Sequence, residues 1–415
     1  MKKRKDLKNP KKMILFYSIA SMFNDIGANL IYPLWPFYIT EILGIDKLFL
    51  GLIDGVGDLL LSLSKAFSGL YSDKIKKRKR FIWLGYFLPI IARIGYAFSK
   101  TWPFLLLFKS TDRAGKIRDP PRDAIVSEIT KKKTRGRSFG IMEGFDKFGG
   151  VLGIALLIFI MFYFKAKINF TYLFLFAALF SVISLLIIWI FTPEYIKLGR
   201  TPESQNYIQY IRANLSNPKY RHFLFIASLM SIATFSYSFV LLLIKPILEQ
   251  VVLFNFSFNT FSSVVAVSAI GFFVYNGSAT FSSYNFGKIS DRLGRKLSIL
   301  MTNSVYIFTL LCMFLSLNYF SESVKPILLF LAFVGYGIYI GALNTVLITY
   351  VSEISNEEYK ASGIGFFYMV FGIFALLASL IAGYLSMTYG FNHMIGFSMI
   401  AIILSSILLF LDGGD

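Results

Sequence analysis

The stretch GKISDRLGRKLS, residues 287–298, has a counterpart in GLYSDKIKKRKR, residues 69–80, offset by 218 positions. Each sets a glycine four residues before an aspartate and follows the aspartate with basic residues. A second pair, VSEITKKKTRGRSFGI at 126–141 and VSEISNEEYKASGIGF at 351–366, aligns without a gap at an offset of 225. Two matches in the same order, at nearly the same offset, mark an internal duplication. The chain therefore reads as two halves of parallel design, 1–192 and 221–415, joined by a connector at 193–220. In that connector Tyr207, Ile208 and Ile211 fall at helical spacing, which predicts a short surface helix.

Between these polar joints the sequence is strongly apolar. Of 415 residues 56% are hydrophobic and 18% aromatic, and the mean hydropathy is +0.63. Crossing about 30 Å of hydrocarbon takes about 20 mainly apolar residues. Twelve such windows follow one another, near 13–40, 48–71, 81–99, 102–128, 138–164, 168–192, 221–247, 260–286, 297–319, 324–351, 360–387 and 390–411. The expected fold class is an all-α membrane protein, with twelve transmembrane helices in two pseudo-symmetric six-helix bundles.

The formal net charge of +19 raises the question of nucleic acid, but its distribution answers it. The amino terminus and the even-numbered joints hold 28 Lys and Arg, whereas the odd-numbered joints hold five: Lys47, Lys100, Lys165, Lys167 and Lys325. This asymmetry follows the positive-inside rule and predicts both termini in the cytoplasm of a multi-pass protein of the plasma (inner) membrane. The basic joints face anionic lipid, and no nucleic-acid partner is expected. The amino terminus has a basic-then-apolar layout, but Asn24-Asp25 interrupt the apolar run and no cleavage site follows, which predicts a retained first span. Cys312 is the single cysteine, and His222 and His393 are the only histidines. Neither a disulfide nor a metal centre is expected. No phosphate-binding Gly-x-x-x-x-Gly-Lys-Ser/Thr loop occurs. Asp25 and Asp58 taken as a carboxylate dyad lack any surrounding protease-like motif, so no enzymatic activity and no cofactor are expected.

Gly69-x-x-x-Asp73, repeated as Gly287-x-x-x-Asp291-Arg292-x-Gly294-Arg295-Lys296, resembles the signature loop of the major facilitator superfamily, found after the second and eighth helices. The joints that pair Glu128 with Arg135-Gly136-Arg137, and Glu353 with Lys360 to Gly365, are similar to that superfamily's joints after helices 4 and 10. The resemblance implies alternating access, with two halves rocking about a central site. It also implies a cytoplasmic latch. Gly69 and Gly287 would allow close helix approach, while Asp73 and Asp291 would accept hydrogen bonds from a helix amino terminus of the opposite half. Arg122, Glu128, Arg295 and Glu353 belong to the same expected latch. The first copy departs from the pattern in having Lys76 where the second has Gly294.

The halves differ most in their fourth windows. STDRAGKIRDPPRD, Ser110 to Asp123, holds seven charged residues, and its counterpart GYGIYIGALNTVLI (335–348) holds none. Charge within a span is costly and is kept where it meets a partner or a cavity, so the amino-terminal half carries the expected working site. Lys109, Asp112, Arg113 and Lys116 fall on one helical stripe, and Asp54, Asp58 and Lys65 on another. Asp58 and Arg113 lie at similar depth and are expected to pair. Pro120-Pro121 should interrupt the fourth helix. With Glu128 at the cytoplasmic edge left aside, the spans of this half together hold eight acids and eight bases, which predicts mutual pairing. The expected substrate and proton pathway comprises Asp25, Asp58, Arg93, Lys109, Asp112, Arg113, Lys116 and Asp146, with Asp25, Asp58 or Asp112 as proton carrier. Asp112 to Ala124 also resembles a fourth-helix motif of a facilitator branch grouped with drug exporters, except that a second glycine after Lys116 is absent.

The carboxyl-terminal half offers aromatics instead: Phe235, Tyr237, Phe239, Phe272, Phe273, Tyr275, Tyr336, Tyr339, Phe366, Phe367 and Tyr368. A charged wall facing an aromatic wall suits amphiphilic organic molecules. The leading expectation is a secondary transporter that exports such compounds or drugs as an antiporter. It would act as a monomer in the lipid bilayer, with a small-molecule substrate, protons as partners and the proton gradient as coupling source. Uptake of a small organic anion through Arg93, Arg113 and Lys116 is the alternative. A non-transporting receptor or scaffold is the alternative of another class, and the short termini leave it no signalling domain.

Overall fold

The structure, a computed structural model, describes residues 10–75, 78–130, 132–163, 169–192, 207–248, 252–253, 256–257, 261–319, 321, 323–355 and 360–411. Twelve helical rods follow in chain order. They are α1 (Pro10–Ile31), α2 (Lys47–Ile75), α3 (Arg78–Phe98), α4 (Trp102–Ala114 and Asp119–Ile129), α5 (Lys132–Tyr163) and α6 (Phe170–Phe191). After them come α7 (Pro218–Ala233, Tyr237–Leu242 and Ile244–Leu248), α8 (Phe261–Leu293), α9 (Arg295–Asn318), α10 (Lys325–Ile354), α11 (Lys360–Thr388) and α12 (Phe391–Leu411). The connector forms a nine-residue helix, Tyr207–Leu215. Two residue pairs, Val252 with Ser257 and Leu253 with Phe256, form the β structure seen among the described residues. Nine helices among those residues are long and apolar enough to cross a membrane. The rods outside that group are α2, α4 and α8.

The helices pack into two compact units. One holds Met1–Tyr32 and Val56–Gln205, the other Pro33–Gly55 and Asn206–Asp415. In the first, α1 packs on α5 and α6, and α3 packs on α4 and α6. In the second, α7 packs on α11 and α12, and α9 packs on α10 and α12. Adding six to each helix number of the first set gives the second, which is the duplication expressed as packing. The connector was expected to separate the halves; in addition, the corner after α1 packs with the second unit.

Small residues set the closest crossings. Gly149 and Gly153 of α5 lie against the backbone carbonyls of Met22 and Ile26 in α1, and Gly337 and Gly341 of α10 against those of Tyr275 and Ala279 in α8. Each pair is spaced by four residues, so both glycines share one helix face, as close approach in lipid requires. A side chain at Gly341 would collide with the Ala279 carbonyl, a backbone group that cannot rotate away. Gly341→Val is expected to destabilise the second unit by about 1–3 kcal/mol, read as a lower thermal midpoint in detergent. Gly144→Ala, where a Cβ meets nothing within 4 Å, should leave the midpoint unchanged.

The helix ends have local causes. Asn169 caps α6 by accepting from the backbone amides of Thr171 (3.0 Å) and Tyr172 (3.4 Å). Asn217, followed by Pro218 at the first helical position, caps α7 by accepting from Lys219 N at 3.0 Å. Lys79, one of the basic run at 74–80, donates to the carbonyls of Thr192 and, at 3.4 Å, Trp189. A cation thus sits at the carboxyl terminus of α6, where the helix dipole favours it. Gly294 starts α9 with φ +86, a conformation open to glycine at little cost. Its counterpart Lys76 lies outside the described residues.

Candidate functional site

The two prolines of the fourth helix do break it, but one turn earlier than expected. Gly115–Arg118 is a 3-10 turn, and Pro120 and Pro121 stand in the first turn of the second piece of α4. A proline ring collides with the carbonyl four residues before it, here those of Lys116 and Ile117, while its missing N–H is harmless in a first turn. Arg118 covers the break. Its Nη1 donates to Gly115 O at 2.9 Å and to Gly85 O of α3 at 3.0 Å, and its guanidinium lies 4.6 Å from the centre of the Tyr86 ring. The glycines at 85 and 115 let these two backbones meet.

Below the break four cations converge on Asp119. Arg118 Nε and Lys65 Nζ each lie 3.7 Å from its carboxylate, Arg122 Nη2 3.9 Å and Lys116 Nζ 4.0 Å. Arg122 also binds Asp123 at 3.1 Å and donates to Ser21 Oγ of α1 at 3.3 Å. Above the break the anticipated pair forms, with Arg113 Nη2 3.6 Å from Asp58. Arg113 and Lys109 both lie over the Tyr32 ring, at 5.2 and 5.4 Å, and Gly57 of α2 makes room for both stems.

Asp112 shares its stripe of α4 with Lys109, Arg113 and Lys116. It lies in the electrostatic neighbourhood of Arg93 and Tyr96 of α3, and of Tyr32. Arg93 is 1% exposed. It donates to Asn24 O at 2.9 Å, Ala177 O at 3.2 Å and the Ser181 hydroxyl, and so ties α1, α3 and α6 together. Its donors are spent on neighbouring backbone, a bracing geometry rather than the cavity-facing one expected. Lys109 is enclosed to the same degree, whereas the side chains of Asp58 and Asp123 are 41% and 43% exposed. The ionic residues of this unit therefore divide into enclosed braces and accessible groups.

Asp25 of α1 and Asp146 of α5 are neighbours, with Arg122 and Lys116 of α4 in the same electrostatic environment. Ser21 donates to the Asp146 carboxylate, while Asp146 Oδ1 is buried and has no hydrogen-bond partner among the described residues. Two carboxylates on different helices thus feel each other's charge, with two cations of α4 acting on the same group.

Aromatic residues of the second unit gather at a break in α7, between Ala233 and Tyr237. The Tyr306 hydroxyl donates to Ala233 O at 3.0 Å and that of Tyr336 to Phe235 O at 2.6 Å, and the Tyr339 hydroxyl lies 2.6 Å from Thr234 Oγ1. Tyr306 and Tyr339 stack at 4.0 Å, and Phe235 and Tyr275 extend the cluster through Tyr336. The carbonyls freed by the break are met by phenol hydroxyls, as backbone away from water requires. Sequence reasoning found Phe235, Tyr275, Tyr336 and Tyr339 but missed Tyr306. Of the others proposed, Phe239 is fully enclosed and Phe273 largely exposed.

The expected latch takes a different form where it can be followed. Arg295 Nη1 binds Asp291 at 2.7 Å, and Arg295 Nη2 and Nε bind Glu353 at 2.7 and 3.0 Å. Asp291 thus meets a guanidinium four residues on in its own unit, in place of the expected helix terminus. Gly287 would bring an added Cβ only to 3.6 Å from Thr345 Cγ2, an ordinary contact rather than a close crossing. The surroundings of Gly69 and the side chains of Asp73 and Glu128 lie outside the described residues.

A profile of the Major Facilitator Superfamily matches residues 17–368 and, again, 231–413. An uncharacterized MFS-type transporter of Methanocaldococcus jannaschii is 32% identical over 410 residues, covering 96% of this chain and 95% of that one. A multidrug resistance protein, MdtH of Blochmanniella pennsylvanica, is 29% identical over 143 residues, 34% of this chain and 35% of its own. Among solved structures, the nucleoside transporter NupG superposes with a TM-score of 0.75 at 16% identity, covering 96% of this chain and 98% of its own. A bacterial homologue of the human drug peptide transporters PepT1 and PepT2 superposes with a TM-score of 0.73 at 11% identity, over 97% of each chain.

Proposed function

The chain belongs to the Major Facilitator Superfamily, a multi-pass membrane protein and a transporter rather than an enzyme, and from that premise we propose that it couples proton movement to export of amphiphilic organic compounds. The observation that carries the proton part is the neighbouring pair Asp25 and Asp146. Two acids that feel each other's charge disfavour being ionised together, and nearby cations oppose that. Asp58 is already engaged by Arg113, which favours the other pair as carrier. The reading therefore moves from three candidate carriers to Asp25 with Asp146.

The substrate part rests on the accessible polar groups of the first unit, Asp58 and Asp123 among them, which suit molecules that carry an ionic part. The partial match to a multidrug resistance protein supports it. The organic-anion alternative is weakened because Arg113 faces Asp58 and Lys116 faces Asp119, so neither cation is held ready for a carboxylate. The charge asymmetry of the joints supports a plasma-membrane orientation with both termini in the cytoplasm, and the proposed working unit is the monomer. In purified proteoliposomes, an imposed pH gradient should drive a lipophilic organic cation, ethidium, against its concentration gradient. Movement of ethidium at the same rate with and without the gradient would refute proton coupling.

A further inference from the structure

Helix α6 turns an unbroken apolar face outward. Leu179, Val182, Ile183, Leu186 and Ile190 recur at helical spacing and are each between 36% and 62% exposed, which makes them one stripe along the helix. The stripe ends at Trp189 and Phe191, both exposed. Aromatic side chains of this kind stand where a span leaves hydrocarbon for headgroups.

Basic residues from two neighbouring helices meet this end. The last turn of α6 contains no basic residue of its own, and Lys79 of α3 supplies one by donating to the carbonyls of Trp189 and Thr192. From the other side Phe16 of α1 stacks on Phe191, with ring centres 4.7 Å apart. Lys12 lies four residues before Phe16, on the same face of α1, and is exposed. Arg80, the residue after Lys79, is exposed as well. One cation thus completes the helix end, while two more flank it with their side chains in the open.

The duplication shows that the fold does not require these charges. Asn9-Pro10-Lys11-Lys12 matches Asn217-Pro218-Lys219-Tyr220 at the start of α7, and Lys79-Arg80 matches Leu297-Ser298 of α9. In the second unit Tyr220 is buried and its hydroxyl donates to Gly363 O at 2.6 Å, and Ser298 is fully enclosed. The corresponding helices pack alike in both units, so the bases at 12, 79 and 80 are additions to a shared frame. Like charges brought to one rim repel unless an anion joins them. We infer that Lys12 and Arg80, at the end of α6, bind the phosphate of an anionic phospholipid whose acyl chains lie along the α6 stripe. Basic rims between spans hold such headgroups, and the apolar stripe favours a lipid over free phosphate. The inference rests on neither the substrate nor protons.

The test follows the thermal midpoint of the purified full chain in detergent as dioleoyl phosphatidylglycerol is titrated in, with dioleoyl phosphatidylcholine and inorganic phosphate as parallel additions. Phosphatidylglycerol is expected to raise the parent midpoint by about 3–6 °C near saturation, with little shift from the other two. Lys12→Gln combined with Arg80→Gln should start from the parent midpoint and need at least about tenfold more phosphatidylglycerol for the same shift. Lys219→Gln combined with Arg221→Gln, an equal loss of charge at the matching end of the second unit, should respond as the parent does. Were the bases there only to orient the chain in the membrane, both pairs would respond alike. An equal response of the two pairs, whether parent-like or weakened, would overturn the site, as would an equal shift from phosphatidylcholine or inorganic phosphate. Should the first pair insert poorly, Arg80→Ser, which places the second unit's residue at that position, decides alone with an expected loss of about fivefold. A failed ethidium assay would leave this result standing, and an overturned lipid site would leave the transport reading standing.

Discussion

Replacing Asp119 by alanine is expected to remove about 3–5 kcal/mol of stability, the usual cost of breaking a buried ionic cluster from one side. Four cationic groups lie within 4.0 Å of this carboxylate, from Lys65, Lys116, Arg118 and Arg122. Arg118 is enclosed and Arg122 nearly so, so neither can turn to water when the acid is gone. Arg118 retains the carbonyls of Gly115 and Gly85, and Arg122 retains Asp123 and Ser21. These contacts satisfy N–H groups but, apart from Asp123, bring no negative charge. The check is the thermal midpoint and the monodisperse yield in detergent. Asp119→Asn, which keeps the shape and removes the charge, should fall between the parent and Asp119→Ala. Adding Lys65→Met to Asp119→Ala should recover part of the loss by removing one of the cations. A midpoint for Asp119→Ala within about 1 °C of the parent would mean that the cluster adds nothing net, as some buried ion pairs do.

The architecture was legible because the bilayer leaves few choices. Hydrocarbon thickness sets the window length, and backbone that must bond to itself makes each window a helix. The duplication could be read from two aligned joints, and the packing pairs α1 with α5 and α7 with α11 repeat it. The pair of Asp58 with Arg113 was legible too, since depth along two helices that cross in the same direction can be counted. The role of Arg93 was not. Its partners are mainly the carbonyls of Asn24 and Ala177, and carbonyls leave no trace in a sequence. Asp112 and Arg113 look equivalent on a helical stripe, but one residue is about 100° of rotation, and of the two it is Arg113 that reaches Asp58 on α2. Tyr306 was missed for a related reason. Its hydroxyl serves a break in α7 some seventy residues away, and the only local signal was Thr234-Phe235-Ser236 interrupting an apolar run. A serine cap after such an interruption predicts a new helix start. It would have located both the break and Ser236, which caps the next piece of α7.

Asp146→Asn is expected to lower pH-gradient-driven flux by about a hundredfold, equivalent to about 2.7 kcal/mol, while leaving gradient-independent exchange of the same solute close to the parent rate. The reasoning starts from the pair. With Asp25 and Asp146 together, one proton can be shared, and its departure leaves two negative charges that the cations at Arg122 and Lys116 must offset. Asparagine at 146 ends this exchange, because the remaining acid loses the neighbour that made its second charge costly. Ser21 can still donate to the amide oxygen, so the link from Arg122 through Ser21 to α5 survives and the fold has little reason to change. Asp25→Asn should show the same split between driven flux and exchange. Asp58→Asn should not, because that carboxylate is engaged by Arg113 and stands apart from the pair of Asp25 and Asp146. The measurement is flux in proteoliposomes with and without an imposed pH gradient, on variants whose elution profiles match the parent. Parent-like driven flux in both Asp146→Asn and Asp25→Asn would remove the pair from the coupling mechanism, whereas equal losses of driven flux and of exchange would assign it to solute binding instead.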